Sequence, residues 1–289
     1  METKISSTKK QVIIGDELPT VLIGERINPS GKKRMSEALK AGDLEIVRKE
    51  AIAQVEAGAD VLDVNVGTFG VDEIRLLPQT VKLVMDAVDV PLCIDSAKPE
   101  ALEAALKVYK GKPLVNSVTG EEKSLAKVLP LIKQHEAAVI GLLQDDEGIP
   151  ATIDKRVAIA RKILKRGEAI GILREDIVID CLAIAVGADQ KAALITLETI
   201  RRVKNELGVN ITVGASNVSF GLPDRVLLNN AFVAITVAAG ATCLIVDAAK
   251  VRPMILAADL LMGHDKRARR YVEFYRSNLR TDRGNPNSV

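Results

Sequence analysis

With 289 residues, nearly half of them apolar, the chain is long enough for one large α/β domain or two small ones, with ample material for a core. Its 40 Lys and Arg against 38 Asp and Glu leave a formal charge of +2, which argues against nucleic acid as a main partner, because phosphate binding needs a concentrated basic excess. Aromatic residues at 2%, with no Trp, argue against stacking platforms for bases or sugars.

Cys93, Cys181 and Cys243 sit in apolar runs without the close Cys-x-x-Cys spacing of a zinc or iron-sulfur site, so they read as reduced core residues. Met1 to Gln11 is polar and carries no signal-peptide core, and no uninterrupted apolar run is long enough to cross a bilayer. The reading is cytoplasmic, with no membrane contact.

Residues 1–18 form a polar lead-in, with a small hairpin expected around Gly15 and Asp16. The first strand spans Thr20 to Ile27 and opens into the turn Asn28-Pro29-Ser30-Gly31. Glu25 and Arg26 beside Asn28 read most simply as a salt bridge closing the end of this strand, with ligand contact as the alternative. Asp43 predicts an N-cap for a helix to Glu56, and Gly58 stops it. Strand two, Asp60 to Asn65, leads to Gly67-Thr68-Phe69-Gly70, whose spacing is not that of a dinucleotide or Walker loop.

From there helical and strand patterns alternate. Helices are predicted over 72–88, 99–110, 121–135, 152–167, 190–207, 223–239 and 252–262. Strands fall at 91–95, 113–117, 137–142, 176–181, 210–215 and 242–247. Counting from the first strand, eight strand-helix units without a Pro, Gly or Ser-rich linker predict a single α/β fold, a (β/α)8 TIM barrel over residues 19–264. Residues 265–289 follow as a basic C-terminal helix and tail. Its cations fit a solvated helix end, with docking of an acidic partner as the alternative, and Arg283 to Val289 reads as frayed.

Several short apolar runs end in a polar residue. These are Asp63 and Asn65, Asp95, Asn116, Asp180, Ser216 and Asn217, and Asp247. In a barrel such C-terminal ends converge on one mouth. Asp95, Asn116 and Asp180 then offer two carboxylates and an amide, a set suited to a neutral ring bearing several N–H donors. A carboxylate cluster can also hold Mg²⁺ or Ca²⁺. No loop here supplies dense alternating oxygen ligands, and His135 and His264 lie away from strand ends, so no protein-bound metal is expected.

Six blocks occur in order: Gly24-Glu25-Arg26-Ile27-Asn28, Leu62-Asp63-Val64-Asn65-Val66-Gly67, Cys93-Ile94-Asp95-Ser96, Val115-Asn116-Ser117, Ile179-Asp180 and Gly214-Ala215-Ser216-Asn217-Val218-Ser219. Over about residues 20–262 the sequence resembles the pterin-binding family of TIM barrels, which contains dihydropteroate synthase and the methyltetrahydrofolate methyltransferases. Dihydropteroate synthases carry an Arg-Lys pair in the seventh-strand segment and an Asn-x-Thr-x-Asp-Ser-Phe first loop. Here Ser216 to Ser219 has no lysine and the first loop reads Asn28-Pro29-Ser30-Gly31-Lys32.

The resemblance therefore implies the methyltransferase branch, which moves a methyl group between N5 of tetrahydrofolate and the cobalt of a corrinoid. It implies that Asp95, Asn116 and Asp180 hold the pterin, that Gly214 and Ser216 line the same wall, and that Asn217 is the catalytic residue near N5. Glu25, Asn28, Asp63 and Asn65 are secondary candidates. Arg225 can meet the aminobenzoyl-glutamate end or pair with Asp224. Tetrahydrofolate or 5-methyltetrahydrofolate is the implied substrate. Neither histidine lies in an Asp-x-His-x-x-Gly cobalamin segment, so the corrinoid is expected on a separate protein that docks transiently. A homodimer is implied as well. The alternatives are a dihydropteroate synthase-like enzyme and a noncatalytic folate-binding subunit.

Overall fold

The computed structural model describes residues 1–283. In chain order the elements are β1 (Glu2–Ser6), β2 (Gln11–Gly15), β3 (Val21–Ile27), α1 (Lys33–Ala41), α2 (Glu45–Glu56), β4 (Val61–Asn65), α3 (Glu73–Ala87), β5 (Leu92–Asp95), α4 (Pro99–Leu106), β6 (Leu114–Thr119) and α5 (Glu122–Gln134). They continue with β7 (Ala138–Leu142), α6 (Ile153–Ala169), β8 (Ile177–Asp180), α7 (Ala192–Leu207), β9 (Ile211–Thr212), α8 (Arg225–Ala239), β10 (Cys243–Val246), α9 (Ala248–Leu261) and α10 (Arg269–Arg283).

Strands β3 to β10 form one parallel sheet in the order β10-β3-β4-β5-β6-β7-β8-β9. A parallel bridge from Gly214 to Ile245 and the bonds Thr242 N to Ile211 O and Ile245 N to Val213 O, both 3.0 Å, join its two edges. The fold is the expected (β/α)8 TIM barrel.

Alternation along each strand divides the apolar residues into two cores. Leu22, Leu62, Val64, Ile94, Val115, Val139 and Ile179 face the helices. Val21, Ile23, Val61, Cys93, Leu114, Ile140, Val178 and Cys243 fill the barrel itself, and Ile5, Val12 and Ile14 of the antiparallel β1–β2 hairpin join that inner cluster. The hairpin is thus a floor for the barrel at the N-terminal ends of its strands. Asn210 Nδ2 fastens it, donating to Thr3 Oγ1 and Ile14 O at 2.9 Å each, and Thr3 Oγ1 donates to Glu175 O.

The structure corrects the expected turn at Gly15 and Asp16. The hairpin reverses at Ser7 to Lys10, where Ser7 N donates to Lys10 O at 2.9 Å and Ser7 Oγ accepts the N–H groups of Lys9 and Lys10. Helix α1 was not expected. It is only nine residues long and mostly polar, and its apolar face, Met35, Ala38 and Leu39, spans little more than one turn, too short a stretch to stand out as a helix. Helix α2 begins at Glu45 rather than Asp43, although Asp43 Oδ1 still accepts Glu45 N at 3.0 Å. Strand β9 is two residues long, and the chain then tightens into a 3₁₀ turn, Ala215–Ser219, instead of continuing to residue 215 as a strand. Helix α9 starts at Ala248, four residues before the expected 252. The remaining element ends shift by at most about one helical turn.

The three cysteines are buried free thiols. The basic segment from Lys266 lies at the floor end: Arg270 Nη1 reaches Asp259 Oδ2 at 3.4 Å, and Asp259 also accepts Thr20 N and Oγ1 below β3. The frayed end expected from Arg283 falls, beyond that residue, outside the described residues. No described helix is long and apolar enough to cross a membrane.

Candidate active site

Where the barrel strands end, their inward positions turn polar. Parallel register sets Asn65, Asp95 and Asn116 side by side across β4, β5 and β6. Asp180 of β8 stands level with Leu142 of β7 and Thr212 of β9, further round the ring. Asp63, two residues before Asn65 on the same face, lies one layer deeper, level with Cys93, and is only 2% exposed.

Each group has a defined neighbour. Asn65 Nδ2 donates to Asp95 Oδ2 at 2.7 Å, while its own Oδ1 accepts Gly67 N at 2.7 Å. Asn116 Nδ2 donates downward to Asp63 Oδ1 at 3.2 Å. Asp180 Oδ1 accepts Leu182 N at 2.8 Å, and the N–H of Gly214 also faces this carboxylate. Asp95 Oδ1 keeps its acceptor capacity free of protein partners among the described residues.

These carboxylates are poorly solvated. Burial raises Asp95 to about 6, against the Asn65 amide and with help from the charge of Glu73. Burial likewise raises Asp180 to about 6, opposed by the Leu182 N–H and by Arg156. Asp63 is pushed well above the carboxylate range, first by burial and then by Asp95. A ligand presenting N–H donors would replace the missing water.

The 3₁₀ turn after β9 supplies the opposite wall. Asn217 N donates to Gly214 O at 3.2 Å, and a Cβ on Gly214 would lie 3.1 Å from Asn217 Nδ2, so glycine lets this amide fold back over the strand end. The Asn217 side chain is exposed and has no hydrogen-bond partner within the described chain. Ser216 Oγ donates to Glu25 Oε1 at 2.5 Å. Arg225 spans the turn, with Nη2 to Ser216 O at 2.8 Å and Nε to Ser219 Oγ at 3.0 Å, and its guanidinium lies 5.9 Å from the centre of the exposed Phe220 ring. It makes no ion pair with Asp224, which instead caps α8 by accepting Leu227 N.

One expected contact is absent. Glu25 does not pair with Arg26. Arg26 instead bridges Glu50 at 3.2 Å and Asp247 at 3.5 Å, tying β3 to α2 and to the end of β10, while Glu25 turns to Ser216. Asn28 Oδ1 is engaged by Ser30 N at 2.9 Å and serves its own turn.

Sequence reasoning missed Arg156, which is 1% exposed. Its Nη1 donates to Cys181 O and Leu182 O at 2.9 and 3.1 Å and its Nε to Pro150 O at 3.0 Å, fixing the loop that follows Asp180. The available signal was its place on the same stripe of α6 as Ala160 and Ile163, where a charge is out of pattern. Gln54 was missed too. It holds Arg26 N through Oε1 at 2.9 Å, and a Cβ on Gly24 would sit 2.4 Å from that oxygen.

A cavity of about 500 Å³ opens over β5 and β6, reaching Asp95, Asn116, Lys98 and Gln144. A recess of about 510 Å³ lies at the floor end beside Lys112, His135 and Asp176. Volume does not separate them. Chemistry does, because only the first adjoins the desolvated strand-end carboxylates. Among the described residues no three His, Cys, Asp or Glu side chains converge as metal ligands.

The family profile described as pterin binding enzyme matches residues 24–247. The chain is 34% identical over 266 residues to the methylcorrinoid:tetrahydrofolate methyltransferase of Eubacterium limosum, covering 89% of this chain and 96% of that protein. It is 31% identical over 266 residues to methionine synthase of Mycobacterium tuberculosis, covering 88% of this chain but 22% of that larger enzyme. A solved dihydropteroate synthase from Xanthomonas albilineans, in complex with 7,8-dihydropteroate, superposes with a TM-score of 0.64 at 19% identity, covering 86% of this chain and 95% of that one. At that identity the likeness concerns the fold.

Proposed function

The chain belongs to the pterin-binding enzyme family, and on that premise we propose that it transfers a methyl group between N5 of tetrahydrofolate and the cobalt of a corrinoid carried by a separate protein. The observation that carries this reading is likeness to a methylcorrinoid:tetrahydrofolate methyltransferase along nearly the whole of both chains. The site chemistry supports it. Asp95 and Asp180, short of solvent and with acceptor capacity to spare, suit the N–H donors of a pterin edge, and the Asn116 amide can serve a ring carbonyl or nitrogen. The dihydropteroate synthase alternative is disfavoured by the 3₁₀ turn itself, where Ser216 to Ser219 contains no cation.

Each residue then has a task. Asp95, Asn116 and Asp180 hold the pterin, with Arg156 steadying the Asp180 loop. Asn217 stands near N5, where a neutral amide can rotate to serve either protonation state without bringing a fixed charge. That matters because a tertiary amine is a poor leaving group until its nitrogen is protonated or strongly hydrogen-bonded. Arg225 is available to the carboxylates of the glutamate tail. His135 and His264 follow α5 and α9 at the floor end, far along the barrel axis from the mouth, which supports a corrinoid brought by a separate protein to the open strand ends.

A homodimer belongs to the same proposal. From Val226 to Ala239, α8 carries no charged side chain, yet Leu227 is 65% and Ile235 46% exposed, a face suited to a second copy. Light scattering of Ile235→Lys should report monomers, and an unchanged mass would remove α8 from the interface.

The test of function is anaerobic incubation with tetrahydrofolate and free methylcobalamin, followed by the visible spectrum. Loss of methylcobalamin that needs both protein and tetrahydrofolate is the expected result. A protein that neither demethylates it nor binds tetrahydrofolate by calorimetry overturns the reading. Tetrahydrofolate binding without methyl transfer, even from a methylated corrinoid protein, marks a noncatalytic subunit.

A further inference from the structure

Methylation of tetrahydrofolate at N5 displaces a proton, and the reverse reaction must return one. Asn217, a neutral amide, can do neither. The carboxylates at the mouth differ in how far they are already committed. Asp247 is paired with Arg26 at 3.5 Å and with Lys250 at 3.2 Å. Asp63 is sealed below the mouth under Asn116. Asp95 and Asp180 are assigned to the pterin edge.

Glu25 is different. Its carboxylate forms no ion pair among the described residues, and its protein contact is the hydroxyl of Ser216, the residue immediately before Asn217. The Lys32 ammonium lies nearby but donates to the backbone carbonyls of Arg26, at 2.8 Å, and Glu25, at 3.5 Å. The side chain is half-buried at the mouth, beside the turn that presents Asn217.

We infer that Glu25 is the acid-base catalyst for N5, exchanging the proton directly or through the Ser216 hydroxyl. The inference rests on the methyl-transfer reading above. In the direction of folate methylation, the N5 lone pair forms the new N–C bond while the C–Co bond breaks and its electron pair stays on cobalt, reducing Co(III) to Co(I). The N5 proton then passes to the Glu25 carboxylate. In the other direction the Glu25 carboxyl gives that proton to N5, the N–C bond breaks with its pair remaining on nitrogen, and Co(I) supplies the pair for the new C–Co bond. If Ser216 relays, it accepts one proton as it gives another and ends unchanged.

Burial holds the Glu25 carboxyl above the usual carboxylate range, the Ser216 hydroxyl opposing it. The charged groups facing it are Lys32 from the loop before α1, Arg225 at the start of α8, Asp247 after β10 and Asp63 of β4; the first two favour the ionised form and the acids oppose it. Such a group accepts a proton more readily than an exposed glutamate does.

The test compares wild type with Glu25→Gln, whose amide oxygen can still accept the Ser216 hydrogen bond. In the anaerobic methylcobalamin assay the variant should lose about 10²–10³-fold in kcat, a typical contribution from general acid-base catalysis, with tetrahydrofolate affinity within about threefold of wild type. Wild-type kcat should rise with pH through an inflection that Glu25→Gln lacks. A second readout needs no turnover. Calorimetry of 5-methyltetrahydrofolate binding in two buffers of different ionisation enthalpy measures linked protons, and wild type should take up a proton fraction that Glu25→Gln does not. A variant with near wild-type kcat and pH profile, or the same proton uptake, overturns the role of Glu25. Failure of wild type to bind folate overturns the underlying function instead. A thermal melt confirms that the variant is folded.

Discussion

The floor and the mouth of this barrel are lined by the same eight strands, yet they are built from opposite materials. At the floor the hairpin lays Ile5 and Ile14, both fully buried, against Val21, Val61 and Leu114, and its polar atoms are engaged through Asn210 and Thr3. At the mouth, two or three residues further along each strand, Asp63, Asp95 and Asp180 are held in poor solvent with their carboxyls raised. Desolvated carboxylates weaken a fold unless something completes their hydrogen bonds. The floor supplies stability, and the mouth holds an unfavourable arrangement ready for a ligand.

The strongest way to break this division is at the floor. Ile14→Asp places a charge in the inner cluster and should remove about 5 kcal/mol of stability, with the thermal melt reading the loss. A drop in folate affinity without a drop in melting temperature would contradict the assignment of the hairpin. At the mouth the effect should fall on binding instead. Asp180→Ala should weaken tetrahydrofolate binding by roughly 2 to 5 kcal/mol, because ligand donors and the Leu182 N–H lose their acceptor, and calorimetry showing unchanged affinity would remove Asp180 from the site.

The third contrast concerns pH. For Asp180 the folded carboxyl stands near 6, above the 3.8 of an unperturbed aspartate, so the folded state holds its proton more tightly than the unfolded one. The ligand-free fold therefore carries a penalty on the order of 3 kcal/mol at neutral pH, relieved as pH falls through about 6 toward 3.8. Asp95, also near 6, acts in the same sense. Melting of the ligand-free protein should improve between pH 7.5 and 5.5, and Asp180→Asn should flatten that slope. An identical slope in the variant would mean that this carboxyl is better solvated than its burial suggests. The smallest change expected is Asn217→Ala, about tenfold slower transfer, roughly 1.4 kcal/mol, with a lesser effect on binding. A normal single-turnover rate would end the role of that amide.

The mouth was largely legible in the sequence, and the floor was not. Asp95, Asn116 and Asp180 follow short apolar runs, and a strand that ends in a polar residue announces itself by pattern. The hairpin is as regular, but Ile5 is the only apolar residue of its first strand, Ser6 to Gln11 is an unbroken polar run, and a Gly-Asp pair follows Ile14, so local turn chemistry pointed to the wrong reversal. The 3₁₀ turn at Ala215–Ser219 was hidden for another reason: strand propensity continues through Val213, and what stops the strand is the fold-back of Asn217 over Gly214. Arg26 shows the limit most clearly. Its partners Glu50 and Asp247 are brought to it by α2 and by β10, and nothing in the sequence near Glu25 names them.

The hairpin floor also sets an order of events in folding. The bonds that fasten it join residues 172, 196 and 207 positions apart, and the cluster it completes includes Cys243 and Ile245 of β10, which pairs with β3 across most of the chain's length. Contacts of such long range form late, after their loop-closure entropy has been met by neighbouring strand pairs. Until then Ile5, Val12 and Ile14 remain uncovered on a short two-stranded ribbon with open edges. The segment that seals the finished barrel is thus the one most exposed to self-association while the chain is incomplete.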